Sequence, residues 1–236
     1  MAIIDEIKEQ NRKLKDMTFS KKCEYIWGYY KFWILSTIGA IILICIGVHD
    51  MRLNLRPVYL QVTVLNSNFV MDDTSTILDD YVAWDQVDTD AYNLHVMTSM
   101  NIDENAQDQM SLANMEKMVA MISAKTLNVV IAPKRVINHY IDLDAYADLD
   151  EVLPKDLKAE LEEKGYQFYY AKYEGMDHEI PIGIYMDHCP YLENQKPDGT
   201  FPKTENDADK PIFSITSTTE DFTHSLSFLR MLIEKE

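Results

Sequence analysis

Leu127-Asn-Val-Val-Ile-Ala132 is continuous and apolar, with three β-branched residues in a row. A strand that meets solvent on one side alternates apolar and polar residues. One covered on both faces does not need to, so this run predicts a central strand of an α/β sheet with helices above and below. Val58 to Leu65 (VYLQVTVL) reads as a second buried strand, and Tyr92 to Met97 as a third. Between them lie segments with apolar residues at helical spacing. Asp72-Asp73-Thr74-Ser75 offers caps before Ile77, Leu78, Tyr81, Val82 and Trp84. Asn101 or Asp103 would cap a long helix from about Glu104 to Lys125, with Met110, Leu112, Met115, Met118, Val119, Met121 and Ile122 as its apolar set. The first half therefore reads strand–helix–strand–helix–strand. Right-handed crossovers then make one mostly parallel sheet flanked by helices the expected fold.

The second half continues with a short helix after Pro133, a helix over about Lys155 to Lys164 that Gly165 stops, and an antiparallel hairpin, Tyr166–Tyr173 with His178–Tyr185, around Glu174-Gly175-Met176-Asp177. Residues 188–210, with Pro190, Pro197, Gly199 and Pro202, read as a long surface loop. Ile212–Thr216 is a last strand. Thr218–Glu236 is a terminal helix with Phe222, Leu226, Leu229 and Ile233 on one face. No internal repeat is visible.

Ahead of this domain, Phe32 to Val48 runs for seventeen residues without a formal charge. At about 1.5 Å per residue that is near the lower limit for a hydrocarbon core of about 30 Å. Trp27, Tyr29, Tyr30, Phe32 and Trp33 form an aromatic cluster suited to headgroup depth, and Lys31 can snorkel from it. Lys8, Arg12, Lys13, Lys15, Lys21, Lys22 and Lys31 precede the run, while only Arg52 and Arg56 closely follow it. The positive-inside rule then puts the N-terminus in the cytoplasm and the C-terminus outside. A cleaved signal would need a small-residue site, which Val48-His49-Asp50 does not offer, and a lipoprotein signal would need small residues before Cys45 rather than Leu43 and Ile44. The expected organisation is a basic cytoplasmic segment over 1–28, a transmembrane helix over 29–49, a linker over 50–56 and an extracytoplasmic domain over 57–236, at the cell membrane.

Residues 1–31 hold seven Lys/Arg and five Asp/Glu, against 22 and 39 in the whole chain, so the remainder carries a net −19. Such a surface repels nucleic acid, which is excluded as a partner. It serves solubility, or a cationic partner. Cys189 is the only cysteine after the apolar run, so the domain has no internal disulfide, and no Asn-x-Ser/Thr sequon occurs. Both absences fit a bacterial surface protein.

Candidate chemistry is sparse. Open α/β sheets bind ligands beyond the carboxyl ends of their parallel strands. Three such ends are readable: Asn66-Ser67-Asn68, Thr98-Ser99 and Ala132-Pro133. From them Asn66, Ser67, Asn68, Thr98, Ser99 and Pro133 are the candidate ligand-binding residues, although strand-to-helix turns favour such residues anyway. Asp142, Asp144, Asp148, Asp150 and Glu151 fail the EF-hand pattern, because Tyr146 and Ala147 stand where a ligand and the glycine belong. Asp187-His188-Cys189 holds zinc-ligand types, but adjacent residues of an extended segment point to opposite faces. No nucleophile elbow, zinc-protease motif or phosphate loop occurs. Catalytic residues, metal ligands and cofactors are therefore not assigned, and no enzyme is expected. The methionines of the long helix fill a core or, on a surface, bind a partner.

The strand order and several phrases resemble bacterial extracytoplasmic solute-binding proteins of the type II periplasmic-binding fold. The phrases are Leu127–Ala132, then Tyr146-Ala-Asp-Leu149 with Leu153-Pro154, the returning strand Ile182-Gly-Ile-Tyr185, and Phe228-Leu229 in the closing helix. The Tyr25–Trp33 segment is similar to that of single-pass proteins of gut Firmicutes. The resemblance implies one lobe on a membrane anchor, with the second lobe deleted or reduced to 150–185. One lobe cannot close around a solute. It therefore implies an accessory or interaction role beside a membrane or surface protein, such as an ABC-type transporter, with small-molecule binding or sensing at the strand ends as the alternative.

Overall fold

The computed structural model describes residue 12 and residues 18–68, 74–103, 105, 108–195 and 199–235. The expected caps Asp72 and Asp73, the helix start at Glu104, the cations Lys8, Lys13 and Lys15, and Pro197 lie outside the described residues. The chain divides into two units, Met1–Leu55 and Arg56–Glu236.

In the first unit, Phe19–Asn54 is one helix (α1). Its Tyr30–Asn54 portion is long and apolar enough to cross a membrane, and none of its most apolar stretch is buried. Phe32, Trp33 and Leu43 are each more than 70% exposed. A soluble core helix hides its apolar side chains, and this one does not.

The second unit is a six-stranded mixed sheet. Its strands are β1 (Val58–Val64), β2 (Asn93–Met97), β3 (Val129–Pro133), β4 (Phe168–Ala171), β5 (Ile180–Tyr185) and β6 (Pro211–Ile215), in the order β2-β1-β3-β6-β5-β4. β1 pairs in parallel with β2 and with β3, as the strand–helix–strand reading requires. The expectation of a mostly parallel sheet is corrected by the other half: β3–β6, β6–β5 and β5–β4 are all antiparallel. Parallel neighbours need a long, usually helical, crossover. β4 and β5 are joined by a short connection and fold back antiparallel, and the longer 186–210 segment, whose helices among the described residues are only the short turns Pro190–Glu193 and Asp207–Asp209, returns β6 antiparallel to β5 as well. The 150–185 region is accordingly no remnant lobe, since β4 and β5 extend the same sheet.

Both faces are covered. Val129 and Ile131 point into one core, with Leu60, Val62 and Val64 of β1, Ile77 and Tyr81 of α2 (Thr74–Asp85) and Phe228, Leu229 and Leu232 of the terminal helix. Val130 and Ala132 point into the other, with Met118, Met121 and Ile122 of α3 (Gln109–Ser123) and Val136 and Ile137 of α4 (Lys134–His139). After α4 come α5 (Leu149–Val152), α6 (Lys155–Glu163), α7 (Pro190–Glu193) and α8 (Thr223–Glu234).

Several boundaries move for local reasons. α3 begins at Gln109, and its cap is Asp108, whose carboxylate accepts from Met110 N at 3.0 Å and Ser111 N at 2.9 Å. Asp103 is otherwise engaged: its carboxylate accepts from Asn105 N, and its own N–H is taken by Ser111 Oγ at 2.9 Å. α8 starts at Thr223, where Asp221 accepts the first amide at 2.9 Å. The 188–210 segment is not merely a surface loop. Tyr191, Leu192, Thr200 and Phe201 are buried, and Tyr191 OH donates to Asp80 at 2.7 Å. The methionine stripe divides: Met118 and Met121 are buried, whereas Met110 is 71% exposed.

Gly183 marks a close approach of β5 to its sheet neighbour β6. A Cβ there would lie 2.3 Å from Ile212 Cγ2 and 2.8 Å from Ser214 Oγ. Gly183→Ala is expected to lower the unfolding free energy by about 1–3 kcal/mol, the usual range for overpacking a dense core. Chemical denaturation of the full chain checks it. A stability unchanged from wild type would mean the two strands separate freely at this point.

Candidate functional site

β1 ends at Val64, and the three residues after Leu65 carry the strand-end rim. Leu65 N–H still donates to Ile131 O at 2.8 Å, after which Asn66 turns the chain with φ 56°. Asn tolerates this left-handed region better than most residues, because its short amide bonds locally. Here the amide does so twice, donating from Nδ2 to Ile102 O at 2.7 Å and accepting from Ile102 N at 2.7 Å. Its backbone N–H donates to Met100 O at 3.0 Å. Asn66 thus acts as an extra rung that ties the segment after β2 to the end of β1. Ser67 Oγ adds a bond to Thr98 O at 3.1 Å, and Asn68 N–H donates to Thr200 O at 2.8 Å.

Beside these residues lies a cleft of about 650 Å³, lined by Asn66, Ser67, Asn68, Asn101, Ile102, Asp103, Asn105, Asp108, Met110, Ser111 and Arg135. The strand-end reasoning therefore brought Asn66, Ser67 and Asn68 together at one cleft. The other three candidates sit apart from its lining. Thr98 is buried at 2% exposure, Ser99 is exposed elsewhere on the loop, and Pro133 is buried opposite Pro211 where it opens α4. Sequence reasoning missed Asp103, Asp108, Ser111 and Arg135. Asp108-x-x-Ser111 is a capping signal legible in the sequence. Arg135 gave no signal, because its place depends on how α4 leaves β3.

The lining is polar, with carboxylates, amides and hydroxyls and a guanidinium, Arg135, whose Nε donates to Asp209 at 2.9 Å. Asn101, Asp103, Asn105, Asp108 and Met110 are exposed, so the cleft opens to water on that side. Such a lining can hydrogen-bond an amine or a polyhydroxy solute. Among the described residues of its lining no nucleophile stands beside a base. Among the described residues no group of three or more His, Cys, Asp or Glu side chains converges as a metal site. In the Asp187-His188-Cys189 stretch, Cys189 Sγ donates to Leu232 O inside the core, where burial pushes the thiol up, while the His188 side chain is 87% exposed. In the acidic run, Asp148 caps α5 through Asp150 N, and Asp150 pairs with Lys158 at 2.5 Å.

A second polar cluster lies at the opposite end of the parallel strands. Asp85, the last residue of α2, accepts from Tyr59 OH at 2.8 Å and from Ser227 Oγ at 2.8 Å. Tyr81 OH lies 2.9 Å from Asp85 Oδ2 and 2.9 Å from His224 O. The His224 ring stacks on Tyr59 with centroids 3.7 Å apart. This knot ties β1, α2 and α8 to one carboxylate. Burial, then the Asp85 bond and charge, push the Tyr59 phenol up to about 12. A phenol whose folded value is raised contributes stability that is complete below its ordinary value and lost as pH climbs through the folded one. The unfolding midpoint is therefore expected to hold up to about pH 10 and to fall between pH 10 and about 12, with a shallower fall in Tyr59→Phe. Denaturant titrations at stepped pH check this, and an identical slope in the variant would remove Tyr59 from the account.

No protein family matches the chain, and no curated protein does. One solved structure is similar, the Corynebacterium glutamicum OxyR C206 mutant, with a TM-score of 0.26 and 11% identity over 92% of this chain and 75% of that one. A likeness of that size carries no functional argument.

Proposed function

We propose that this chain is a membrane-tethered extracytoplasmic α/β domain that works by contact rather than by chemistry. In this reading it is an accessory or interaction subunit beside a membrane or surface protein, with an ABC-type transporter as the leading partner class. The observation that carries it is the apolar helix Tyr30–Asn54, none of whose most apolar stretch is buried, joined to a compact acidic domain. Supporting it are the cationic excess before the helix and the sequence resemblance to one lobe of a solute-binding protein. A tether raises the concentration of the domain against any partner in the same membrane. The open cleft also suits contact better than capture, since solute capture uses enclosure.

The topology has a direct test. Cys23 is exposed on the N-terminal side of the apolar run, whereas Cys189 is buried. In intact cells a membrane-impermeant maleimide is expected to label a Ser99→Cys chain and to leave Cys23 unlabelled until the membrane is permeabilised. Labelling of Cys23 in intact cells would reverse the orientation and sink the extracytoplasmic reading.

A second reading is supported by the cleft at the carboxyl end of β1, whose lining includes Asn68 and Asp103, since open α/β sheets take ligands beyond such ends. It makes the domain a small-solute binder or sensor. A thermal-shift series on the full chain in detergent, with amino acids, sugars and polyamines, decides between the two. A rise abolished by Asp103→Asn and by Asn68→Ala would establish solute binding, and a flat profile leaves the contact role.

A further inference from the structure

β2 stands first in the sheet order, so one of its edges has no strand beside it. The inner edge is paired with β1. Asn93 N–H donates to Pro57 O at 2.9 Å, and Gln61, Val62 and Thr63 lie opposite His95, Val96 and Met97. Successive residues of a strand alternate in direction. Asn93, His95 and Met97 therefore turn their backbone N–H and C=O toward β1, while Leu94 and Val96 turn theirs outward. Among the described residues no partner takes these four groups. A cleft of about 430 Å³ follows the edge, lined by Gln61, Leu78, Leu94, His95, Val96 and Met97. Leu94 and Val96 belong to one face of the sheet and Met97 to the other, so the cleft wraps the edge.

A bare edge pairs with other chains, and proteins blunt it with charge, proline, bulges or short length. The opposite edge, β4, is blunted in this way: it is four residues long, and its register breaks between Tyr169 and Tyr170. Asn93-Leu-His-Val-Met97 holds no proline, lysine, aspartate or glutamate. The irregularity in its pairing with β1 lies on β1, between Val58 and Leu60.

We propose that the outer edge of β2 is an interface between two copies of this chain, in which the β2 strands pair antiparallel and join two six-stranded sheets into one. The four outward groups fix the register. Residues directly opposite in a bonded antiparallel pair exchange both N–H and C=O. With Leu94 opposite the partner's Val96, and Val96 opposite the partner's Leu94, all four groups are satisfied. The two-fold axis then passes His95, which faces its own counterpart. The ladder stops there, because the next outward groups are engaged: Thr98 O accepts from Ser67 Oγ, and Tyr92 N–H donates to Asp88 O. Charge says that the occupant is a second copy. Lys117 Nζ lies 3.3 Å from Met97 Sδ at the carboxyl end of β2, and the exposed Asp88 and Asp90 precede its amino end. Antiparallel pairing sets the cationic end of each strand against the acidic end of the other, and two-fold symmetry makes the match twice. The contact goes beyond the reading above, whose partner is a different protein, and involves residues 56–236 alone.

Cross-linking tests it in the full chain with Cys23→Ser and Cys45→Ser, which leaves only the buried Cys189. In the proposed register the His95 Cα atoms lie roughly 4.5 Å apart, within disulfide reach, whereas those of Leu94 lie roughly 8 Å apart, beyond it. His95→Cys is expected to give a disulfide-linked dimer under mild oxidation, in cells and after purification in detergent. Leu94→Cys, and Tyr170→Cys on the other edge, are expected to stay monomeric. Adding Val96→Pro removes one outward N–H and is expected to abolish the His95→Cys dimer. Lys117→Glu, an exposed change that spares the fold, is expected to diminish that dimer, and Asp90→Lys beside it to restore it. No dimer at position 95 overturns the interface. Equal dimer at 94, 95 and 170 means random collision and overturns the register. A dimer indifferent to both Val96→Pro and Lys117→Glu overturns the pairing. A purified chain that stays monomeric while position 95 cross-links to another polypeptide in cells replaces the second copy with a foreign strand.

Discussion

The sheet depends on burial of both faces of β3, with β1 burying Leu60, Val62 and Val64 beside it. Leu60, Val62 and Val64 serve one core together with Val129 and Ile131, while Leu65, Val130 and Ala132 serve the other. A strand in this position has no solvent face, so each residue must find apolar partners above or below it. Each fully buried aliphatic side chain contributes on the order of 1.5–3 kcal/mol relative to exposure. The helices are placed by this demand: α2 and α8 cover one side, α3 and α4 the other. A polar residue in the middle of β3 would leave a buried donor or acceptor with no water to satisfy it. Thr63 and Ser214 show the limit of what is tolerated, since each keeps a buried hydroxyl without a partner.

That same demand explains why so much of the fold is legible in the sequence. LNVVIA and VYLQVTVL are long enough, and apolar enough, to be strands buried on two sides. The helical spacing of apolar residues between them fixes helices, and every expected strand of the first half exists within about two residues of its expected start. The second half was legible as elements but not as topology. Nothing local to Ile180–Tyr185 or Pro211–Ile215 says which neighbour each will pair with, or in which direction. That choice is made by connection length and by the close fit of Gly183 over Ile212, which are tertiary facts.

The cleft was half legible for a similar reason. Asn66, Ser67 and Asn68 announce themselves because a strand end followed by three small polar residues is a turn with hydrogen-bonding capacity. What the sequence does not display is that Asn66 spends both ends of its amide on Ile102, so that its contribution is to shape the site rather than to line it with free groups. Arg135 enters from α4, sixty-nine residues later in the chain, and is aimed by Asp209. Pairings of this kind join residues that no periodicity relates. The hydroxyl–carboxylate knot on Asp85 is of the same sort: it gathers side chains from β1, α2 and α8.

The place of β6 has a consequence for how the molecule is made. It is the last strand in sequence yet the fourth in the sheet, filling the gap between β3 and β5. During synthesis β1, β2 and β3 come out first with their inner edge unpaired. β4 and β5 come out as a separate hairpin, and neither piece owns a complete core. Only when residues 211–234 arrive do β6 and α8 weld the two halves. Contacts of such sequence separation are slow to close, and an open strand edge invites strangers meanwhile. The nascent polypeptide must therefore wait, unsealed, for β6, and synthesis that stops before residue 211 releases two unfinished halves rather than a smaller version of the fold.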